Sequence, residues 1–244
     1  MGKVGKIHIG TSGWHYAHWK GSFYPKGVSE KNFLKHYLEH FSTVEINRTF
    51  YSLPKKKVME VYAEIAPRGF IYSVKASRFI THVKRLKDPK EPLKRFFGVV
   101  SGLKKHLGPI LFQLPPHWKV NPERLESFLK SLPKGYRYTF ELRDESWLQE
   151  DIYKLLRKYK AAFCIYELGH FITPSTVTSN FIYVRLHGPS GAYGGDYSRQ
   201  TLKKWASFFR REAKKGKDIY CYFDNDEAGY AAKNALELKA ILKV

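Results

Sequence analysis

Two absences narrow the class of protein that this sequence can encode. The 244 residues include only two cysteines, Cys164 and Cys221, and neither lies in a C-x-x-C or zinc-ligand spacing, which argues against a disulfide or zinc scaffold. No run of about 18 apolar residues occurs, so we expect no membrane-spanning helix. Residues 1–6 also lack the apolar stretch of a secretory signal. We therefore expect a cytoplasmic protein that has no membrane partner and keeps both thiols buried.

Acidic residues are scarce as well. There are 22 Asp and Glu against 43 Lys and Arg, which gives a formal net charge of +21. Such a charge attracts polyanions, although a coat of solvated lysines produces the same total. The excess is concentrated in residues 48–105, and the loop Ile80–Lys94 is its densest part. This loop is either a surface for backbone phosphates or an ordinary solvated loop.

The sequence is rich in short apolar runs, and its hydrophobic content of 43% is too high for intrinsic disorder. Eight runs enriched in β-branched and aromatic residues predict strands at Ile7–Gly10, Thr43–Asn47, Ile71–Lys75, Pro109–Leu114, Tyr136–Arg143, Ala161–Tyr166, Phe181–His187 and Ile219–Asp224. Amphipathic stretches predict helices at Ser29–Phe41, Lys55–Ile65, Pro92–Leu107, Pro122–Leu132, Gln149–Tyr159, Ser198–Lys215 and Glu227–Leu242. The connection Leu168–Asn180 is too short for a clear helix.

The alternation of strands and helices predicts an α/β fold. Eight units over 244 residues give about 30 residues per unit, the size of a βα repeat. We therefore expect a single (β/α)8 TIM barrel that occupies residues 1–244 as one domain. An open doubly wound sheet is the alternative, but no glycine-rich dinucleotide fingerprint follows any strand.

Charged residues at alternate positions mark the second half of several strands. The pairs Glu45 and Asn47, Lys75 and Ser77, Glu141 and Arg143, Arg185 and His187, and Asp224 and Asp226 each share one strand face, opposite apolar neighbours. The apolar face should meet the helices, so the polar face should point into the barrel near its C-terminal mouth. Barrel enzymes build their active sites there.

These residue types suggest the chemistry of an anionic substrate. Lys75, Arg143 and Arg185 suit the binding of phosphate or carboxylate. Glu45 and Glu141 suit a general base or metal ligands, and His187 suits a general acid. Asp224 and Asp226 are further candidates for proton transfer or for holding a hard cation. The alternative is a closed ion-pair network, such as Glu45 with Arg185 and Glu141 with Lys75.

Aromatic residues and a histidine on the loops are the remaining candidates. We expect Trp14, Tyr16, Tyr51, Trp147 and Tyr193 to flank a substrate, together with Asn47 and His82. No HExxH-type motif is present, so a divalent metal cofactor remains an open alternative and its ligands are unknown. We expect the other histidines near the N-terminus to be ordinary surface or core residues: His8, His15, His18, His36 and His40.

Several segments together resemble one protein family. They are Gly10-Thr11-Ser12-Gly13-Trp14-His15-Tyr16, Val44-Glu45-Ile46-Asn47-Arg48-Thr49-Phe50-Tyr51, Val74-Lys75 with Ile80-Thr81-His82, Gln113-Leu114-Pro115-Pro116, Glu141-Leu142-Arg143, Tyr183-Val184-Arg185-Leu186-His187-Gly188 and Tyr222-Phe223-Asp224-Asn225-Asp226. The set resembles the YecE-like proteins, the family called domain of unknown function 72. The resemblance implies a (β/α)8 barrel similar to xylose isomerases and endonuclease IV. Asp144 and Glu167 depart from the family pattern, so they are weaker candidates.

Three functions remain open. The first is binding or hydrolysis of a phosphate-bearing substrate, nucleic acid among them. The second is isomerase or lyase chemistry on a sugar or hydroxy acid. The third is nucleic-acid binding without catalysis, governed by loop lysines such as Lys84 and Lys87.

Overall fold

The protein has nine strands and eight α-helices in residues 3–244, the part of the chain that this computed structural model describes. The strands are β1 (Ile7–Thr11), β2 (Thr43–Ile46), β3 (Ile71–Lys75), β4 (Leu107–Gln113), β5 (Tyr138–Glu141), β6 (Ala162–Leu168), β7 (Phe171–Ile172), β8 (Phe181–Leu186) and β9 (Asp218–Phe223). The helices are α1 (Phe33–His40), α2 (Arg48–Tyr51), α3 (Lys56–Ile65), α4 (Lys90–Val100), α5 (Pro122–Ser131), α6 (Glu150–Lys158), α7 (Arg199–Lys214) and α8 (Tyr230–Leu242).

The strand order confirms the predicted fold class. Neighbouring strands follow the order β1-β9-β8-β6-β5-β4-β3-β2, and β7 pairs with β6 outside this path. Parallel strands that alternate with helices in this way form the α/β arrangement of a (β/α)8 TIM barrel. No helix within residues 3–244 is both long and apolar enough to cross a lipid bilayer.

Several segments differ from the sequence-based expectation. The predicted helix Pro92–Leu107 is α-helical only as far as Val100, where α4 ends. It continues as the 3₁₀ segment Ser101–His106, which is kinked at Lys104 because that residue has a non-helical φ of +52°. The connection Leu168–Asn180 begins with a hairpin, in which Glu167 of β6 pairs with Ile172 of β7. Gly169 supplies the turn with a φ of +60°.

The chain divides into two compact units. The first unit contains residues 3–45, 165–173 and 180–244, and the second contains residues 46–164 and 174–179. The expectation of a single domain stays a prediction.

In the first unit, strands β1 and β9 are neighbours. β1 pairs in parallel with β9, from Ile7 beside Ile219 to Thr11 beside Phe223. β9 also pairs in parallel with β8. Helix α7 begins where Ser198 was expected to start it, because the Ser198 hydroxyl accepts a hydrogen bond from the Thr201 backbone N–H.

In the second unit, strands β3 to β6 pair in sequence order, all in parallel. An aromatic core lies against them: the ring centroids of Phe112 and Phe140 are 5.3 Å apart, and those of Phe112 and Phe128 are 5.0 Å apart. Full burial of each such ring contributes about 2–3 kcal/mol. The register places Gln113 at the end of β4 beside Glu141 at the end of β5, and this pairing brings their polar side chains together.

Candidate functional site

Arg185 lies at the centre of a buried polar cluster in the first unit, which we call the Arg185 cluster. Its guanidinium donates to Glu45 from Nε (3.1 Å to Oε2) and from Nη2 (2.8 Å to Oε1). It also donates from Nη2 to Asp224 Oδ2 at 2.9 Å. Arg185 and Glu45 are completely buried. One cation therefore stands between two carboxylates, and the alternative of an ion pair between Glu45 and Arg185 is observed.

Two hydroxyl groups also donate hydrogen bonds to the Glu45 carboxylate. Ser12 Oγ donates to Glu45 Oε1, and the Tyr183 hydroxyl donates to Oε2 at 2.6 Å. Neither residue was among the predicted site residues. Tyr183 could have been found, because it precedes Arg185 by two positions and so shares its strand face. Ser12 follows β1 directly. The run of small residues at positions 10–13 could have indicated that this loop lies close to the site.

His187 contacts both Arg185 and Asp224 in this cluster. Its Nε2 lies 3.2 Å from Arg185 Nη1, and its Nδ1 lies 2.9 Å from Asp224 Oδ2. A guanidinium can only donate, so Nε2 accepts and the proton resides on Nδ1, which donates to Asp224. Arg185 thus engages lone pairs of both Glu45 and His187 that a metal would need. The Arg185 cluster does not fit a divalent cation, and the role of His187 as general acid stays a prediction.

Asp226 is a carboxyl group of the first unit whose pKa is shifted toward neutrality. Trp19 Nε1 donates to Asp226 Oδ1 at 2.5 Å, and His18 Nε2 lies 3.2 Å from Oδ2. Burial raises the pKa of the Asp226 carboxyl to about 6, and the nearby charge of Asp224 adds to the rise. A carboxyl that exchanges its proton near neutral pH suits acid–base chemistry.

Glu141 anchors a second polar cluster, in the second unit. Gln113 Nε2 donates to Glu141 Oε1 at 2.9 Å, and Arg143 Nη1 donates to the same oxygen at 2.6 Å. Glu141 is completely buried, whereas the Arg143 side chain keeps 15% exposure. The guanidinium of Arg143 therefore has contact with solvent that the guanidinium of Arg185 lacks.

Lys75 and His82 belong to the same unit and surround Phe50. Lys75 Nζ lies 4.3 Å from the centroid of the Phe50 ring, and the His82 ring meets Phe50 edge-on at 5.1 Å. Burial, together with the charges of Lys75, Arg78 and Arg143, lowers the pKa of His82 to about 4, and the charge of Glu141 opposes this shift. His82 is therefore uncharged at neutral pH. We call Lys75, Arg78, His82, Glu141 and Arg143 the His82 cluster.

The predicted aromatic residues differ in exposure. Tyr51 is 78% exposed and Tyr193 is 45% exposed, so both can contact a substrate. Trp147 is completely buried and donates from Nε1 to the Trp118 carbonyl at 2.5 Å, which gives it a packing role in this conformation. Trp14 is buried too. The hydroxyl of Tyr16 donates to the Ser12 carbonyl at 2.6 Å.

Three more candidates have clear structural positions. Asn47 lies partly exposed at the start of α2. Asp144 caps the turn Glu145–Trp147 by accepting from the Ser146 backbone N–H at 3.0 Å. Glu167 is buried and accepts from Trp205 Nε1 at 3.2 Å, and burial raises its pKa. Asp144 and Glu167 thus have structural partners, in keeping with their departure from the family pattern.

Comparison with known proteins identifies relatives along the whole chain. A family model described as protein of unknown function DUF72 matches residues 8–244. The UPF0759 protein YunF of Bacillus subtilis (strain 168) is 26% identical over 271 residues, which cover 98% of this chain and 95% of that protein. The UPF0759 protein YecE of Escherichia coli (strain K12) is 30% identical over 140 residues, which cover 56% of this chain and 48% of that protein.

Solved structures show the same fold. A DUF72 family protein from Thermotoga maritima MSB8 is 30% identical and superposes with a TM-score of 0.86, covering 98% of this chain and 100% of that chain. A DUF72 family protein from Enterococcus faecalis V583 is 20% identical with a TM-score of 0.81, and each chain is covered completely. The second likeness concerns the fold alone.

Proposed function

The chain belongs to the DUF72 family, and we propose that it binds a phosphate-bearing substrate at the His82 cluster. The observation that carries this proposal is the group of three cations around His82, because Lys75, Arg78 and Arg143 all lower its pKa while Glu141 opposes them. A partly buried site with surplus positive charge is stabilised when an anionic group enters it. Lysine supplies a point charge for a phosphate, and arginine supplies two parallel donors.

Glu141 is the group that we propose as general base. Gln113 and Arg143 fix the orientation of its carboxylate through Oε1. Such a carboxylate can take the proton of a water whose oxygen bonds to the phosphorus. The ester P–O bond then breaks and the leaving alkoxide takes a proton from solvent, while Lys75 and Arg143 stabilise the negative charge that develops on the phosphoryl oxygens. Arg185 has a different role, since binding a phosphate would require it to leave two carboxylates without their buried partner.

Inorganic phosphate tests the binding step. We expect phosphate to raise the pKa of His82, observed by NMR of its ring protons, because a bound anion offsets the charges of Lys75 and Arg143. Lys75→Met and Arg143→Gln should each abolish this response, whereas Lys87→Met, a change at an exposed lysine, should retain it. A His82 resonance that phosphate leaves unchanged, or a response that survives both substitutions, would contradict the proposal.

One observation favours nucleic acid as the phosphate-bearing partner. A groove of about 820 Å³ in the second unit is lined by Phe79, Lys84, Lys90 and Arg95, along with two acidic residues. Phe79 is 47% exposed. Exposed aromatic rings beside cations are typical of surfaces that bind single strands. We expect binding of a thymidine oligonucleotide to weaken in Phe79→Ala and to fall steeply with salt; salt-independent binding would exclude this partner.

The alternative of isomerase or lyase chemistry draws support from Asp226, whose pKa near neutrality suits proton abstraction next to a carbonyl. Turnover of phosphate-free hydroxy acids that is lost in Asp226→Asn would favour it. A cytoplasmic location also stays a proposal, supported by the burial of Cys164 and Cys221 without a disulfide.

A further inference from the structure

We propose that His36, Glu39 and His40 on helix α1 form a binding site for a divalent metal ion of the zinc type. Residues 36–40 read H-x-x-E-H, and positions separated by three and four residues share one face of a helix. One donor atom from each of the three side chains lies within 4.8 Å of the others. Two imidazole nitrogens and one carboxylate oxygen are donors that Zn²⁺ prefers.

The hydrogen bonds of the two imidazoles leave the required lone pairs available. His36 Nε2 lies 3.1 Å from the Phe23 carbonyl oxygen, and His40 Nδ1 lies 3.0 Å from the His36 carbonyl oxygen. A carbonyl only accepts, so each of these nitrogens carries the proton. The lone pairs are then on His36 Nδ1 and His40 Nε2. Histidine ligands of metals are held in this way, with the second ring N–H bound to a carbonyl.

The surroundings hold the rings and leave one side open. The Phe23 ring lies edge-on to His36 at 5.2 Å and to His40 at 5.3 Å, and the two imidazole centroids are 4.5 Å apart. The His36 side chain is 18% exposed, and the Glu39 side chain is 59% exposed. A fourth position can therefore be filled by water, as in zinc sites with three protein ligands.

The geometry requires only a small adjustment. Glu39 Oε2 lies 3.8 Å from His36 Nδ1. Ligands at about 2.0–2.1 Å from a tetrahedral Zn²⁺ are about 3.3 Å apart, and rotation of the exposed Glu39 side chain can supply the difference. One feature opposes binding: the Lys239 ammonium group donates to the His40 carbonyl and places a positive charge nearby. We therefore expect moderate affinity.

Metal titration of the full chain tests the site. We expect one Zn²⁺ per chain in calorimetry and visible absorption bands of bound Co²⁺. His40→Ala and Glu39→Gln should each weaken Zn²⁺ binding at least tenfold, whereas His170→Ala, a change at an exposed histidine elsewhere, should bind as the original chain does. Equal affinity and equal Co²⁺ bands in His40→Ala, Glu39→Gln and the original chain would overturn the proposal.

Folding must be controlled separately. Thermal unfolding without metal shows whether each variant retains the native state. Glu39→Gln decides the question if His40→Ala fails to fold, because its side chain is mostly exposed and removes a ligand with little change in packing.

Discussion

Arg185 and Glu45 form a bidentate ion pair from which solvent is excluded on both sides. Nε and Nη2 of the guanidinium each donate to one carboxylate oxygen, at 3.1 and 2.8 Å. Arginine is suited to this role because its planar fork matches a carboxylate. The pair belongs to the interior of the first unit, where Glu45 and Asp224 balance the charge of Arg185.

Removal of the guanidinium should destabilise the protein strongly. In Arg185→Met, Glu45 and Asp224 lose their buried counter-ion, and we expect the free energy of unfolding to fall by about 3–5 kcal/mol. Urea denaturation measures this change. Arg185→Met combined with Glu45→Gln should be more stable than Arg185→Met alone, since one unpaired charge is then absent. A loss below about 1 kcal/mol in the single variant would show that the pair is unimportant.

The pKa of His82 should change when the charge of one nearby residue, Lys75, is removed. Lys75→Met removes the largest electrostatic cause of the low pKa of His82. We expect the midpoint of the His82 titration, followed by NMR, to rise from about 4 by roughly one pH unit toward 6.5. The midpoint should stay in place in Lys87→Met. An unmoved midpoint in Lys75→Met would mean that the charge of Lys75 does not act on His82.

Asp226 should make stability depend on pH. Its pKa of about 6 exceeds the ordinary value of 3.8, so the folded protein holds this proton more tightly than the unfolded chain does. The resulting stability is complete below about pH 4 and is lost as the pH rises through about 6. Relative to Asp226→Asn, the original chain should lose about 1–2 kcal/mol between pH 4 and 7, allowing for solvent screening. Parallel stability curves for the two proteins would rule this out.

Substitution of Tyr51 and of Trp147 should distinguish an aromatic ring that binds substrate from one that stabilises the fold. Tyr51→Ala changes an exposed ring, so we expect unfolding to change by less than about 0.5 kcal/mol while substrate affinity falls. Trp147→Ala empties a buried position and should cost about 3–5 kcal/mol. Thermal and urea unfolding measure both. A destabilised Tyr51→Ala would contradict the assignment of this ring to the substrate.

Strand periodicity predicted much of the site from sequence. Glu45, Glu141 and Arg185 alternate with apolar neighbours, and a period of two requires such residues to share a face. The parity argument therefore identified the charged residues that are buried. It also offered the ion pair of Glu45 with Arg185 as one alternative. The choice between that pair and a substrate site could not be made from sequence, because the two residues are 140 positions apart and their contact depends on tertiary structure.

Loop residues were harder to predict for the same physical reason. Trp147 and Tyr51 both follow strands, yet one is completely buried and the other is mostly exposed. The identity of an aromatic residue does not determine which of these occurs, since packing by neighbours such as Trp118 decides it. We expected His36 and His40 to be ordinary residues from sequence. Their spacing with Glu39 is visible there, but the hydrogen bonds that leave their lone pairs available can be seen only in the structure.

The pairing of β1 with β9 has a consequence for folding of the chain during its synthesis on the ribosome. Ile7 pairs with Ile219, so β1 has to wait for a neighbouring strand that is made more than 200 residues later. At about 5–20 residues per second this delay is on the order of 10–40 s. The nascent chain must carry β1 without that hydrogen-bonding partner throughout, so the first unit is completed only after residues 46–164 of the second unit have been made.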